Sequence, residues 1–297
     1  MERILEYTAT EDGTVQNLLK SKGFSERICN LLKKELGLVC VNGEPVFVVA
    51  KVNAGDKIKV ILKENPPKIA PFAYPIDFVY QDYDIAVINK SADIAVLATN
   101  AHYGKSLMNA LAAVWGDFVY HPVNRLDKGT SGLMIVAKNS LAHSILSEQI
   151  AQDKQTAVKN VQREYLAIVH NDKDNILTGE GDIIADIGIP TGNSLVRGVV
   201  QSGGKYAKTH YKVLSSCPDY SLVQLVLATG RTHQIRVHLS YIGHPLLGDD
   251  LYGGNKSMIE RPALHSSKIK FRHPITNEQL EFCAPLPKDM QDILAKK

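Results

Sequence analysis

The chain has 297 residues, 44% hydrophobic and 22% charged, with a formal net charge of +3. That composition supplies more than one core and excludes a disordered or collagen-like chain, and no apolar run approaches the ~18 residues of a membrane-spanning helix. A charge this small does not by itself imply a nucleic-acid partner, so any basic surface must be local. The four cysteines, Cys29, Cys40, Cys217 and Cys283, form no CxxC pair. In a chain too long to need disulfide staples they read as reduced thiols, which makes zinc unexpected and points to the cytoplasm. The opening MERILEYTATEDG shows no basic run leading into an apolar one, so no leader peptide is expected.

Taken in chain order, the first predicted elements are two short helices over residues 14–20 and 25–36. Val15, Leu18, Leu19 and Ile28, Leu31, Leu32 recur at helical spacing, Gly23 marks the turn and Ser25 is placed as an N-cap. VCVNGEPV follows as a hairpin around Asn42-Gly43, and Gly55-Asp56 leads into the alternating strand KIKVIL. Between residues 20 and 34 lie five cations (Lys20, Lys22, Arg27, Lys33, Lys34) against one acid, Glu26. A short charge run is usually a solvated helix face. The order helix, basic helix, VNG hairpin and strand nevertheless resembles the S4 RNA-binding domain over residues 1–63. That resemblance implies that Lys22, Arg27, Lys33 and Lys34 contact RNA phosphates.

Four prolines between residues 65 and 75 remove backbone donors and favour extended chain, so this stretch reads as a linker. It divides a module of residues 1–64 from a body of residues 76–297. The body opens with the strand-like FVYQDYDIAVINK and a helix over 107–115. A strand, a polar turn and a second strand follow within VYHPVNRLDKGTSGLMIVAKN, then a helix over 141–152. REYLAIV, KYAKTHYKVL and SLVQLVLAT read as strands, a short helix follows Arg231, and a hairpin around HPITNEQL closes the body. Strands outnumber helices and short turns join many neighbours, which predicts an α+β fold with a mixed, mostly antiparallel sheet.

Three segments carry chemistry. In HPVNRLDKGTSGL one acid, Asp127, stands between Arg125 and Lys128, cations that favour its charged form. Taken alone, such an acid more often caps its own turn by bonding the amides of Gly129 and Thr130. In REYLA, Tyr165 sits on a strand, where a tyrosine is ordinarily core. In GRTHQIRVH an apolar strand leads into a helix start, with Thr232 a plausible N-cap. No acid occurs from residue 220 to 248, while Arg231, Arg236 and three histidines accumulate. Orphan amides and the helix dipole make such a start a natural phosphate site. His233 and His238 are five apart and do not share a helix face, which disfavours a metal. Residues 197–212 carry four cations and no acid, and Lys205 and Lys208 interleave with aromatic residues as an RNA-binding surface would. A lysine-protected sheet edge fits that tract equally well.

Together these segments resemble the RluA/RluD family of pseudouridine synthases. RLDKGTSGL, REYLAIV, KYAKTHYKVL, GRTHQIRVHL with GHPLLGDDLYG, and PALHSSKIKFRHPIT occur in the family's order across residues 76–297. The resemblance implies that Asp127 is the nucleophile, that Tyr165 lines the uracil pocket and takes part in proton transfer, and that Arg231 pairs with the catalytic carboxylate. Arg125, Lys205, Lys208 and Arg236 then join the module's cations as RNA contacts. Leu264 and His265 match a family element without an assigned role. Asn124 departs from the pattern, since many members have histidine there. The implied reaction isomerises uridine in structured RNA, by attack at C6 of the base or C1′ of the ribose, with no cofactor. The expected partner is RNA, large-subunit ribosomal RNA first and transfer RNA second, and a monomer is expected. Rival readings are a non-catalytic S4-type RNA-binding protein and a nucleoside hydrolase; the second would need a paired acid.

Overall fold

The computed structural model describes residues 2–65, 68–98, 104–116, 119–151, 161–190 and 196–296. The first module is β1 (Glu2–Thr8), β2 (Gly13–Thr14), α1 (Val15–Ser21), α2 (Glu26–Leu32), β3 (Val39–Val41), β4 (Glu44–Pro45), β5 (Lys51–Val52) and β6 (Lys57–Lys63). Thr14 and Ser25 cap the two helices, accepting from the amides of Asn17 (3.2 Å) and Ile28 (3.4 Å). α2 ends at Leu32, four residues short of the sequence expectation, because Lys34 already bonds back to Leu31 and Gly37 takes φ +97°. Asn42 and Gly43 both adopt positive φ, as a two-residue hairpin turn requires. β1 pairs along its whole length with β6. The sequence reading did not foresee it, since only Leu5 of its seven residues is buried and the alternation is faint.

The module has its own core of Val15, Leu19, Ile28, Leu32, Val60 and their neighbours, completed by Leu141 and Ile145 of the body. A Cβ on Gly23 would lie 2.5 Å from Ile145 Cγ1, so close contact with the body needs glycine there. Arg3 grips Asp84 through Nε and Nη2 (both 2.9 Å), and Asn139 donates to the same carboxylate. The described part of the proline-rich stretch is strapped to the body: Ile69, Phe72, Tyr74 and Ile76 pack on its core, and Asn109 donates to Ala70 O (2.8 Å).

The body continues with β7 (Phe78–Gln81), β8 (Ile85–Lys90), α3 (Leu107–Trp115), β9 (His121–Pro122), β10 (Ser131–Ala137), α4 (Ser140–Ala151), β11 (Gln162–His170), β12 (Glu180–Ile184), β13 (Ile187–Gly188) and β14 (Gly198–Val199). It ends with β15 (Lys208–Ser216), β16 (Tyr220–Leu227), α5 (Gln234–Tyr241), β17 (Leu264–Arg272), β18 (Gln279–Cys283) and α6 (Lys288–Ala295). The main sheet runs β12-β15-β16-β11-β17-β10-β8-β7, with β18 on β17 and β9 on β10. It is mixed and mostly antiparallel, as expected. The parallel pair is β10 with β17, confined to Ser131 and Gly132 against His265 and Ser266. Gly132 has φ +108°, and a Cβ on it would fall 2.3 Å from Ser266 O. The glycine of TSGL therefore lets β10 meet β17 directly behind the Asp127 turn. α6 was not anticipated in sequence; it covers Ile168 and Leu247 through Met290 and Ile293.

All seven residues of β10 are buried, because Met134 and Val136 face α3 and α5 while Leu133, Ile135 and Ala137 face α4. On β11, Tyr165, Ala167 and Val169 share the face toward α3 and α5. The functional site forms on that face.

Candidate active site

Asp127 occupies the turn between β9 and β10. The turn is closed by backbone, Thr130 N donating to Asp127 O at 3.0 Å. The Thr130 amide is thus spent, and the carboxylate does not cap its turn. Two cations hold consecutive carbonyls of the same turn from behind. Lys90, buried at the end of β8, donates to Ser91 O (2.6 Å), Ile94 O (3.0 Å) and Lys128 O (3.2 Å). Arg261 Nη1 donates to Gly129 O (3.1 Å), while its Nε and Nη2 hold Asp289 of α6 (2.7 and 2.9 Å). Burial pushes the Lys90 ammonium down to about 7, against the pull of Asp93 and Asp127. Asn124 is buried, and its Oδ1 accepts from Ile135 N (2.8 Å), tying the approach to the turn onto β10.

The side chain of Asp127 is 33% exposed and faces α5. Arg236 Nη1 lies 3.2 Å from its Oδ2, and the other edge of that guanidinium forms a fork on Asp249 through Nε and Nη2 (both 2.7 Å). Asp249 is fully buried. A fork on a buried carboxylate fixes the arginine plane, leaving one N–H aimed at Asp127. The Tyr252 ring stacks under the guanidinium, 4.9 Å from centroid to Cζ.

His233 completes the surroundings, with Nε2 3.6 Å from Asp127 Oδ2. Its backbone is left-handed (φ 57°) and its side chain caps nothing. Burial pushes the imidazole below its ordinary range, with Asp127 pulling the other way. The Tyr252 hydroxyl accepts from Arg197 N (3.1 Å), so its proton points to His233 Nδ1 (2.8 Å). On that assignment Nδ1 is the acceptor, and the neutral ring directs Nε2–H toward the carboxylate.

Three sequence expectations are corrected. The cation paired with Asp127 is Arg236 and not Arg231; half-buried Arg231 donates Nε to Tyr206 O (3.0 Å). Arg236 is in turn no free phosphate contact, since both its partners are carboxylates. The N-cap of α5 is His233, not Thr232. Gln234 does the work expected of a cap hydroxyl: its Oε1 accepts from Arg231 N (3.0 Å) and Thr229 Oγ1 (2.7 Å), and its Nε2 donates to Lys208 O and Thr209 Oγ1 (both 3.0 Å). The loop amide that was expected to receive a phosphate is therefore partly spoken for.

Tyr165 is buried on β11, and burial pushes its hydroxyl upward while Arg163 counteracts. It borders a groove of about 1580 Å³ shared with Asp127, Arg231 and Leu264. Small-molecule pockets are roughly 300–1,000 Å³, so this opening suits a segment of polymer. Arg125 and Lys208 also line it, Lys208 paired with Asp182 at 2.8 Å. Lys205 is exposed beside it in sequence, while Lys22, Arg27 and Lys34 are exposed on the module and Lys33 donates to Asn30 Oδ1 (3.2 Å). Among the described residues, no three His, Cys, Asp or Glu side chains converge as metal ligands.

Sequence reasoning missed Lys90, His233 and Asp249 as neighbours of Asp127. Asp249 had a signal: it is the first acid after the acid-free stretch, and a buried arginine requires a carboxylate nearby.

A family model described as RNA pseudouridylate synthase matches residues 84–241, more than half of the chain. The uncharacterized RNA pseudouridine synthase YjbO of Bacillus subtilis (strain 168) is 38% identical over 95% of this chain and 98% of its own length. The chain belongs to the RNA pseudouridylate synthase family. Members of the family isomerise uridine to pseudouridine in RNA, and this chain is such an isomerase. A further relative, the ribosomal large subunit pseudouridine synthase D of Vibrio cholerae, is 36% identical over 86% of this chain and 82% of that protein. Among solved structures, human RNA pseudouridylate synthase domain containing 1 is similar, with TM-score 0.58 and 28% identity over 71% of this chain and 83% of the human one. The α+β sheet of this pseudouridine synthase is thus its family's.

Proposed function

We propose that this pseudouridine synthase modifies uridines of large-subunit ribosomal RNA with Asp127 as nucleophile. One observation carries the assignment: in a groove of polymer size, Asp127 presents a third-exposed carboxylate beside buried Tyr165, its charge held by Arg236. A target uridine inside folded RNA must be unstacked into this groove, at a cost of about a few kcal/mol. The Asp127 carboxylate then attacks C6 or C1′, and the bond from N1 to C1′ breaks. After the base turns, C5 bonds to C1′, the bond to Asp127 breaks, C5 loses its proton to solvent and N1 takes one up from solvent. Tyr165, kept neutral by burial, walls the uracil and assists that proton's departure. Arg236 is fixed on Asp249 and so meets the carboxylate with no reorganisation. Substrate and product have the same composition and oxidation state, with one proton exchanged with solvent, so the reaction requires no cofactor.

The ribosomal target is supported by the name of the Vibrio cholerae relative and by the likeness of the first module to S4 domains. We read Lys22, Arg27, Lys33 and Lys34 as that module's phosphate contacts, and the protein as a cytoplasmic monomer. The decisive test is tritium release from RNA labelled at uridine C5. Wild-type protein releases tritium from ribosomal RNA and Asp127→Asn does not. Release of free uracil would reassign the site to hydrolysis, and turnover confined to transfer RNA would remove the ribosomal target.

A further inference from the structure

Arg163 stands two residues before Tyr165 on β11, on the same face, and lines the same groove. Its Nε is buried with no hydrogen-bond partner, and among the described residues no carboxylate pairs with its guanidinium. The nearby acids are engaged elsewhere: Glu164 accepts from Gln224 Nε2 (2.7 Å) and Asp127 faces Arg236. Of the other groove cations, Lys208 is held by Asp182, Arg231 by the Tyr206 carbonyl and Arg236 by Asp249, while Arg125 and Lys128 are exposed to solvent. Arg163 lies against Gly230, where a Cβ would come 3.3 Å from its Nη1, so the guanidinium rests on bare backbone between β16 and α5. A partly buried cation with unspent donors is costly unless an anion arrives to meet it.

We propose that Arg163 anchors the phosphodiester of the flipped uridine, an inference that rests on the groove being the RNA site. Two strand residues span ~6.6 Å, the scale of a single nucleotide, so a base against Tyr165 brings its own backbone to Arg163. A planar fork with free N–H groups matches phosphate oxygens. Uracil is neutral and would leave the charge uncompensated, and Tyr165 and Leu264 already supply walls for a base. The anchor has a catalytic consequence: it fixes the ribose end of the nucleotide while the detached base turns.

The test uses full-length protein and fragments of large-subunit ribosomal RNA. Binding is followed in the Asp127→Asn background across about 50–200 mM salt, with Arg163 intact, Arg163→Gln or Arg163→Lys. Losing one phosphate contact lowers the slope of log K against log salt by about 0.7–0.9. Arg163→Gln is expected to show that drop and, in the active enzyme, to raise KM about tenfold or more, as loss of a charge-assisted hydrogen bond does. Arg163→Lys keeps the slope and recovers part of the affinity. An unchanged slope in Arg163→Gln overturns the proposal, and lower kcat at unchanged slope and KM would assign Arg163 to the base instead. An Arg163→Lys slope that falls as far as that of Arg163→Gln overturns it too. Wild-type protein that turns over no RNA would sink the functional reading itself, an outcome distinct from failure of the variants alone.

Discussion

The cations on and around α1 and α2 and those around Asp127 read alike in sequence, yet the fold treats them oppositely. Lys22, Arg27 and Lys34 are exposed, and Lys20 pairs with Glu26 at the surface (2.6 Å). Lys90, Arg236 and Arg261 are buried or nearly so, each with its donors committed to named carbonyls or carboxylates. Exposed pairs contribute about 0–1 kcal/mol, whereas removing one partner of a buried pair costs about 3–5 kcal/mol. The difference separates solvated surface charge from a scaffold that holds one carboxylate still.

The largest expected effect breaks the scaffold. Arg236→Gln leaves Asp249 charged and buried alone, so denaturant unfolding should show a loss of about 3–5 kcal/mol. Tritium release should fall at least ~100-fold in kcat, as when an oriented charge-stabilising donor is lost. Arg231→Ala, by contrast, should cost about 1 kcal/mol or less in stability and act mainly through KM. If Arg231→Ala lowered kcat more than Arg236→Gln does, the assignment of the carboxylate's partner would be reversed.

A smaller effect is expected from Lys90, through pH. Its folded value of about 7 lies below the ordinary 10.5. Between those values the unfolded chain holds a proton that the folded chain has shed, so stability rises with pH across that window. Lys90→Met abolishes this contribution. Urea unfolding from about pH 7 to about pH 9 should then show wild type gaining stability relative to the variant as pH increases. A gap independent of pH would mean that Lys90 stays fully charged in the fold.

The smallest effects sharpen the surface half of the contrast. Lys22→Gln, Arg27→Gln and Lys34→Gln should each change stability by less than ~0.5 kcal/mol. Each should nonetheless lower the salt slope of RNA binding by about 0.7–0.9 if it meets a phosphate. Substitution is the right instrument here, because truncating the module would strip Asp84 of Arg3 and uncover Leu141. Unchanged slopes in all three variants would leave the module without a phosphate-binding role.

Much of the fold was legible because its signals are local. Helical spacing, Ser25, the Asn42-Gly43 turn and the unbroken apolar run of β10 each announce themselves within a few residues. β1 and α6 were not, since β1 buries only Leu5 and α6 earns its place by covering Ile168 and Leu247 from far along the chain. In the site, Asp127 and Tyr165 were singled out by motif. Arg236 shows in the sequence only as charge, and charge in a sequence carries no direction.

The sequence by itself determined the family, the strand and helix order, and the presence of Asp127, Tyr165 and a cation-rich segment to accompany them. Only the tertiary structure decided that Arg236 rather than Arg231 meets Asp127, that Lys90 and Arg261 hold the turn behind it, and that Arg163 is left with donors to spare. The physical reason is burial. A buried charge must find a partner at hydrogen-bonding distance, and that partner is chosen by strand register and side-chain reach, over separations from 13 residues (Arg236 to Asp249) to 132 (Arg261 to Gly129), not by adjacency in the chain.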